Sequence, residues 1–591
     1  MPVINTEAYF SQLPRVDIKR SIFNMPFNHK TSFNVGQLIP FYLLEVVPGD
    51  THQIRTSIVA RLQTLLTPIM DELDLETFYF FVPNRIVDDH WKNIMGENDN
   101  GPWIQDKVDY SVPYLEWPEE ENPTPGEPDI VGWKSGTLAD YFGIPLWMDS
   151  ENAKDYPMVY PFRGYAMVVS EFFRDQNLQQ PCVVHKDSTV RQGTNGSNYI
   201  TDLELGGMPF VVNRYHDYFS SCLPAPQKSE PVSIFGNVGP YNPDQPWNGT
   251  GPFAPVVTRG ANAMKVTLNE AATTNGNPWS LYDGILTSGV LTGRGSMRVG
   301  TFKDTMSSDR YVGYLNTANN DFDHTGWYPS NLWANLDVPE ATINNLRLAF
   351  QLQKYYEKQA RGGTRYREFL REFFGVSNGD ARMQIPEYLG GHRVPLSIHQ
   401  VANTSESESS SLGDLGAMSN TSTVHDDFRM SFTEHGFIMG LMCVRYKNTY
   451  SQGLQRFWSR RTALDFYNPV FAHISEQPVF TKEIYAYGIG VGDRVFGYNE
   501  AWADYRYIPN RVSGEMRPEV TNSLASWHLA DDYDDVPSLS SSWLQVDKST
   551  VDRVLAVTSE VSNQVFADIF VQDRAVRPMP VHSVPGLADH F

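Results

Sequence analysis

Apolar and polar positions alternate most clearly near the two ends of the chain. THQIRTSIVARLQ puts Ile54, Thr56, Ile58 and Ala60 on one face at a two-residue period, which predicts a half-buried strand. Before it, TSFNVGQLIPFYLLEVVPGD reads as strand, kink at Pro40, strand, then a Pro48-Gly49-Asp50 turn. After it, DELDLETFYFFVPNRIV predicts a nearly continuous apolar strand ending at Pro83. The pattern returns late in the chain. Phe437, Ile438, Met439, Leu441, Met442 and Val444 predict a largely buried strand, and Lys482–Tyr487 predicts another. VDRVLAV and QVFADIFVQ, between Val551 and Val571, predict two more.

Helical spacing dominates between these ends. Phe162, Tyr165, Val169, Phe172 and Phe173 fit one face of a helix over residues 159–180, with Arg163, Glu171 and Arg174 elsewhere on the wheel. Residues 88–95 and LADYFGIP predict short helices, the first capped by Asp88. A long helix starts with Pro339 in its first turn and stops at Gly362-Gly363, and TRYREFLREFFG adds another that ends at Gly375. Residues 1–30 have no steady period and read as an arm lying on other surfaces. Residues 84–224 read as a helical and loop insertion. Residues 225–335, rich in Gly, Pro and Asn, read as a projecting insertion with short strands at Ala263–Leu268 and Met297–Phe302. Residues 401–422 are small and polar and read as a mobile surface loop. Strands far apart in sequence must pair to close one core. The expected fold is therefore mainly β, of Greek-key or jelly-roll type, as a single domain over 1–591 with long insertions.

Composition narrows the function. Hydrophobic residues are 41% and charged residues 20% of 591, which suits a globular chain, and aromatics reach 13%. A net charge of −22 argues against a general nucleic-acid-binding surface and leaves room only for a local basic patch. Cys182, Cys222 and Cys443 are few and scattered, so reduced thiols in packed surroundings are expected, with no disulfide framework or zinc site. MPVINTEAYF shows no signal peptide, and IPFYLLEVV is too short for a membrane span and is broken by Glu45. A soluble protein with no membrane insertion is expected.

Candidate chemistry is sparse. HExxH, Walker A and GxSxG motifs are absent, and Gly488, Gly490 and Gly492 do not open a βαβ unit. Glu434-His435 has an acid–base composition, but a locally satisfied strand-edge histidine explains it better. Asp531–Asp535 lacks calcium-loop spacing and reads as solvated surface. No catalytic residue, cofactor or metal is expected. Carboxylate pairs of a glycosidase are spatial, and the aromatic content suits a sugar groove, so a β-sandwich carbohydrate-active enzyme or adhesin is the alternative. Residues 479–518 interleave Phe496, Tyr498, Trp502, Tyr505 and Tyr507 with Arg494, Arg506 and Arg511, which fits either a half-buried strand and loop or a protein-contact surface.

Several blocks together resemble one family: PFRGYAMVVSEFFRDQNLQ, GGTRYREFLREFFGVSNGDARMQIPEYLGG, SFTEHGFIMGLM, and VFGYNEAWADYRYIPNRVSGEMRP followed by WHLADDY. The chain resembles the major capsid proteins of the Microviridae, small single-stranded DNA phages, in their gokushovirus branch. The resemblance implies a viral jelly roll of eight antiparallel strands and a 60-copy T=1 icosahedral shell around circular single-stranded DNA. It implies a threefold surface protrusion, for which 225–335 is the candidate, used in attachment to a host surface receptor. It further implies a small basic internal DNA-binding protein, a DNA pilot protein, assembly in the host cytoplasm and a place in the virion capsid. Under it, Tyr498, Trp502, Tyr505, Arg506 and Arg511 are expected to pack at a subunit boundary.

Overall fold

The computed structural model describes residues 19–97, 110–119, 130–146, 148–149, 155–229, 343–363, 365–375, 383–404, 415–488 and 494–582, with 413, 492 and short strands between 253 and 335. The chain forms two compact units, Met1–Lys228 with Glu357–Phe591, and Ser229–Tyr356, where the sequence suggested one domain.

The first unit holds two four-stranded antiparallel sheets. Their strands are β1 (Ser21–Phe33), β2 (Ile39–Val46), β3 (Thr51–Leu62), β4 (Leu73–Pro83), β5 (Glu387–Pro395), β6 (Thr421–Ser431), β7 (Gly436–Tyr446) and β8 (Val565–Arg577). One sheet runs β1-β8-β3-β6 and the other β5-β4-β7-β2. Consecutive strands thus alternate between sheets at the start and end of the chain, which is the jelly-roll order. The expected fold class is the observed one.

Both sheets bury their facing sides. On β3, Ile54, Thr56, Ile58 and Ala60 are fully buried, as the alternation predicts. On β4, Tyr79 points between the sheets, where its hydroxyl lies 2.5 Å from Thr56 Oγ1, and Phe81 packs on Phe432 of the β6–β7 turn. Gly440 of β7 stands where a Cβ would meet Phe41 Cζ at 2.9 Å and Tyr79 Cε1 at 3.0 Å, so any side chain there would displace a core ring.

The insertion between β4 and β5 covers the outer side of the second sheet. Helix α1 (Tyr160–Val168) is buried at every position and starts with Pro161 in its first turn. Gly164 lets it approach, with its Cβ position 3.2 Å from Val82 Cγ1. The predicted helix to residue 180 ends instead in a π-helical turn, Val169–Phe173, closed by Arg174 N donating to Val169 O at 2.9 Å. The wider turn sets Phe172 against Phe80 and Phe173 against Phe78, with centroids 4.8 and 5.1 Å apart. Arg163, placed by the wheel away from the apolar face, is 1% exposed, and its guanidinium donates to Val87 O at 3.0 Å and Asp187 O at 2.8 Å.

Other expectations change. Ser21–Lys30, expected in an arm, is the front of β1 and pairs with β8 along its whole length; residues 1–18 lie outside the described residues. Within 401–422, Ile398–Ala402 pairs with Leu415–Ser419 and Thr421 begins β6; 405–412 lie outside the described residues. VDRVLAV is not a strand. Asp547 caps Ser549 N at 2.8 Å and starts helix Lys548–Asp552, so Val551, Val554 and Leu555 meet the core at helical spacing. The helix expected at 88–95 is one turn, Trp91–Ile94. Asp531, expected in solvent, is 3% exposed and paired with Arg214.

Helix α2 (Ile343–Gly362) and helix α3 (Tyr366–Phe374) match their predicted stops, with Gly363 and Gly375 at φ of +92° and +68°; Pro339 and Ala263–Leu268 lie outside the described residues. In the second unit, Val299–Lys303, Arg310–Asn316 and Asp321–Asp323 form one antiparallel sheet, and Phe253–Ala254 pairs with Ala334–Asn335.

Candidate functional site

The insertion between β7 and β8 carries the expected contact residues. Within it Gln477–Phe480 pairs with Val495–Asn499 as a two-stranded ribbon. Lys482–Tyr487 is not the predicted strand. The Glu483 carboxylate accepts from Phe480 N at 3.0 Å, and Ile484 N and Tyr485 N both donate to Thr481 O, at 3.1 and 2.8 Å. These bonds curl the chain into a 3₁₀ turn that drops Ile484 into a second apolar cluster with Tyr218, Phe219, Tyr450, Phe496 and Trp543. Burial raises the Glu483 carboxyl above its ordinary value, against hydrogen bonds that lower it.

The five predicted contact residues fall into three places. Tyr498 is half-buried on the ribbon, and its backbone pairs with Leu223 at 2.7 and 2.8 Å. Trp502 and Tyr505 clasp a neighbouring segment. Trp502, at φ +61°, donates from Nε1 to Phe471 O at 2.9 Å, and Tyr505 OH accepts from Tyr467 N at 3.1 Å. Arg460 pairs with Asp504 and lies over the Tyr505 ring, 4.2 Å from its centre. Arg506 is exposed and pairs with Glu500 at 2.7 Å, and Arg511 is exposed and donates to Gln455 at 3.4 Å. The structure therefore joins Trp502 and Tyr505 and leaves the other three apart.

The clasped segment is the part sequence reasoning missed. Arg461–Val470 is exposed at all ten positions, with Leu464 at 71%, Phe466 at 53% and Val470 at 82%. Trp458, three residues before it, is 60% exposed. The segment is rigidly shaped nonetheless. Thr462 and Asp465 form a reciprocal cap, and Asn468 caps a turn at Pro469–Phe471. An ordered apolar ridge held open to water is unusual for a monomer and marks a protein-contact surface. The available signal was the composition of GLQRFWSRRTALDFYNPVF, aromatics among arginines.

No His, Cys, Asp or Glu group among the described residues is arranged to hold a metal ion. Glu434 is engaged by Arg85 at 2.6 Å, and His435 packs edgewise on Trp91. The three cysteines are free and buried, and burial pushes the Cys182 and Cys443 thiols up to about 12. No described helix is long and apolar enough to cross a membrane.

A jelly roll with an exposed, ordered contact ridge has the build of a shell subunit, and comparison with known proteins decides it. Residues 11–587 match the family described as capsid protein (F protein). The chain belongs to that capsid protein family. It is 38% identical to capsid protein VP1 of Spiroplasma virus 4, with 99% of each chain covered. It is 34% identical to capsid protein VP1 of Chlamydia phage 1, covering 98% of this chain and 97% of that one. The figure for capsid protein VP1 of Bdellovibrio phage phiMH2K is 32%, with 98% of each covered. These relatives are capsid proteins of gokushovirus-like microviruses, so the resemblance seen in the sequence holds over nearly its whole length. Capsid membership gives the chain a structural role in the virion and leaves the carbohydrate-active or adhesin alternative without support.

Proposed function

We propose that the chain is the repeating subunit of a 60-copy T=1 icosahedral shell that encloses circular single-stranded DNA. The observation that carries this reading is the ridge at Arg461–Val470, ordered but wholly exposed in the single subunit. A neighbouring copy would bury it, together with Tyr505, Arg506 and Arg511 at its margin. The chain's charge of −22 suits a small basic internal protein that meets much of the DNA. A pilot protein for DNA delivery, a host surface receptor met by residues 225–335 as a threefold protrusion, and assembly in the host cytoplasm complete the proposal.

The test is Leu464→Asp with Val470→Asp, produced beside wild type with the phage's companion proteins and followed by sedimentation and negative-stain microscopy. Wild type gives uniform shells. The double variant gives folded, unassembled subunits, because two carboxylates would have to be desolvated at the contact. Wild type that never forms shells overturns the capsid assembly reading. A variant that assembles normally removes the ridge from the interface.

A further inference from the structure

Alternate residues of β3 and β8 are exposed on the outer side of the first sheet, and the register fixes what that side presents. On β8, Phe566, Asp568, Phe570, Gln572 and Arg574 point outward between the buried Val565, Ala567, Ile569, Val571 and Asp573. Arg55, Val59 and Arg61 of β3 share that face, with Lys30 opposite Asp568 and Asp426 opposite Arg55. Beyond the β6 bulge, Arg429 stands opposite Gln53.

The face therefore carries five cations, Lys30, Arg55, Arg61, Arg429 and Arg574, against two carboxylates, Asp426 and Asp568. That is a local excess of positive charge in a chain whose net charge is −22. Lys30 and Arg55 each face a carboxylate, at 3.8 and 3.6 Å. Both pairs are well exposed and weakly coupled in water. Arg61, Arg429 and Arg574 form no ion pair among the described residues. Phe566 is 39% exposed and Phe570 half-buried. They lie four residues apart on β8, between β1 and β3, so the rings sit inside the sheet and not at its rim.

We infer that this face binds single-stranded nucleic acid, its backbone following the arginines and its bases stacking on Phe566 and Phe570. The inference rests on the capsid reading and adds to it that this face is turned toward the shell interior. Charge selects the occupant. A polyphosphate gains from five cations, whereas a second copy of the same face would bring five more cations against them. Exposed aromatics beside arginines favour unpaired bases, because every base offers a ring face and a duplex hides it. Recognition would be indifferent to sequence, since phosphates are alike in every nucleotide and each base offers a ring face to stack.

The test uses the full-length unassembled subunit and a labelled 20-nucleotide oligo(dT), with anisotropy read over a range of salt. Wild type binds, with affinity falling as salt rises. Arg61→Gln/Arg429→Gln/Arg574→Gln binds at least about tenfold more weakly at low salt and loses about two units of the log–log salt slope, from ~0.7 per phosphate neutralised. Phe566→Ala/Phe570→Ala binds about tenfold more weakly with the slope unchanged. The three arginines are exposed, so circular dichroism and melting of the triple variant should match wild type, and the double phenylalanine variant should keep its circular dichroism with a slightly lower Tm. Wild-type affinity and slope in the triple arginine variant overturn the inference. So does normal oligonucleotide binding by a variant whose shells fall apart, which would make the face an interface between copies. Absence of wild-type shells would instead defeat the capsid assembly reading, whatever the oligonucleotide does.

Discussion

Strands β4 and β8 are both long, antiparallel and flanked on each side by other strands, yet β4 is buried at every position except Phe78, while β8 alternates buried with exposed. The difference lies in what covers their sheets. The β4–β5 insertion lies on the outer side of the β5-β4-β7-β2 sheet, so Phe80 meets Phe172, Phe173 and Tyr388 there. Charged groups on the same side are held in a network. Arg445 pairs with Glu76, Arg393 with Asp74, and both guanidinium groups lie over the Tyr215 ring, at 4.3 and 4.4 Å. The Tyr215 hydroxyl donates to Glu76 at 3.0 Å. On the β1-β8-β3-β6 sheet the outward residues Arg55, Arg61 and Arg574 are exposed. One sheet is thus packed on its outer side by residues before Lys228, and the other shows exposed charge there among the described residues.

Matched substitutions on the two sides sharpen that contrast. The largest effect is expected at the covered aromatic. Phe80→Ala removes a side chain that is 1% exposed and should cost about 3–5 kcal/mol, whereas Phe566→Ala, 39% exposed at the start, should cost under about 1 kcal/mol. Next come the charges. Arg445→Met leaves Glu76, which is 6% exposed, with Tyr215 and the longer contact to Arg393 at 3.8 Å, and should cost about 3 kcal/mol in denaturant unfolding. Arg55→Met on the first sheet should stay within about 0.5 kcal/mol. Equal costs would show that the insertion does not shield the second sheet. A melting series of the free subunit checks both.

The smallest effect belongs to the seam between the sheets. His392 of β5 and His425 of β6 stack at 3.8 Å between centroids, with Asp427 3.0 Å from His392 Nδ1 and Thr77 Oγ1 at 3.0 Å. Desolvation, then the neighbouring His392, holds His425 below its ordinary value of 6.5. The unfolded chain therefore takes up that proton more readily. The histidine's contribution is present above about pH 6.5 and is lost as pH falls below it. His425→Gln should flatten the acid limb of stability slightly in that window. An unchanged limb would remove the seam from the pH response.

Which parts of this were legible in the sequence follows from the same contrast. A sheet wet on one side prints a two-residue period, and β3 and β8 are readable for that reason. A sheet covered on both sides prints a continuous apolar run, and β4 and β7 show one. β1 escaped because it is an edge strand, with Asn24, Pro26, Asn28 and Lys30 exposed in the solvent-side row, so its composition looks like an arm. Asp531 was read as solvated because its partner Arg214 lies 317 residues away. Lys482–Tyr487 had strand composition, but the Glu483 side chain captured the backbone and turned it. The ridge at Arg461–Val470 has no period at all, since all ten positions are exposed and its packing within the subunit is confined to contacts such as those of Tyr467 with Trp502 and Tyr505. Its shape comes from local caps, and its apolar groups await a partner. The family blocks announced the shell, and only the three-dimensional exposure located this contact.

An electron cryomicroscopy map of assembled particles, at a resolution that shows side chains, tests the account most directly. It should show a closed shell in which Leu464, Phe466 and Val470 are buried against a neighbouring copy of the chain. A shell in which those three side chains face solvent would contradict it.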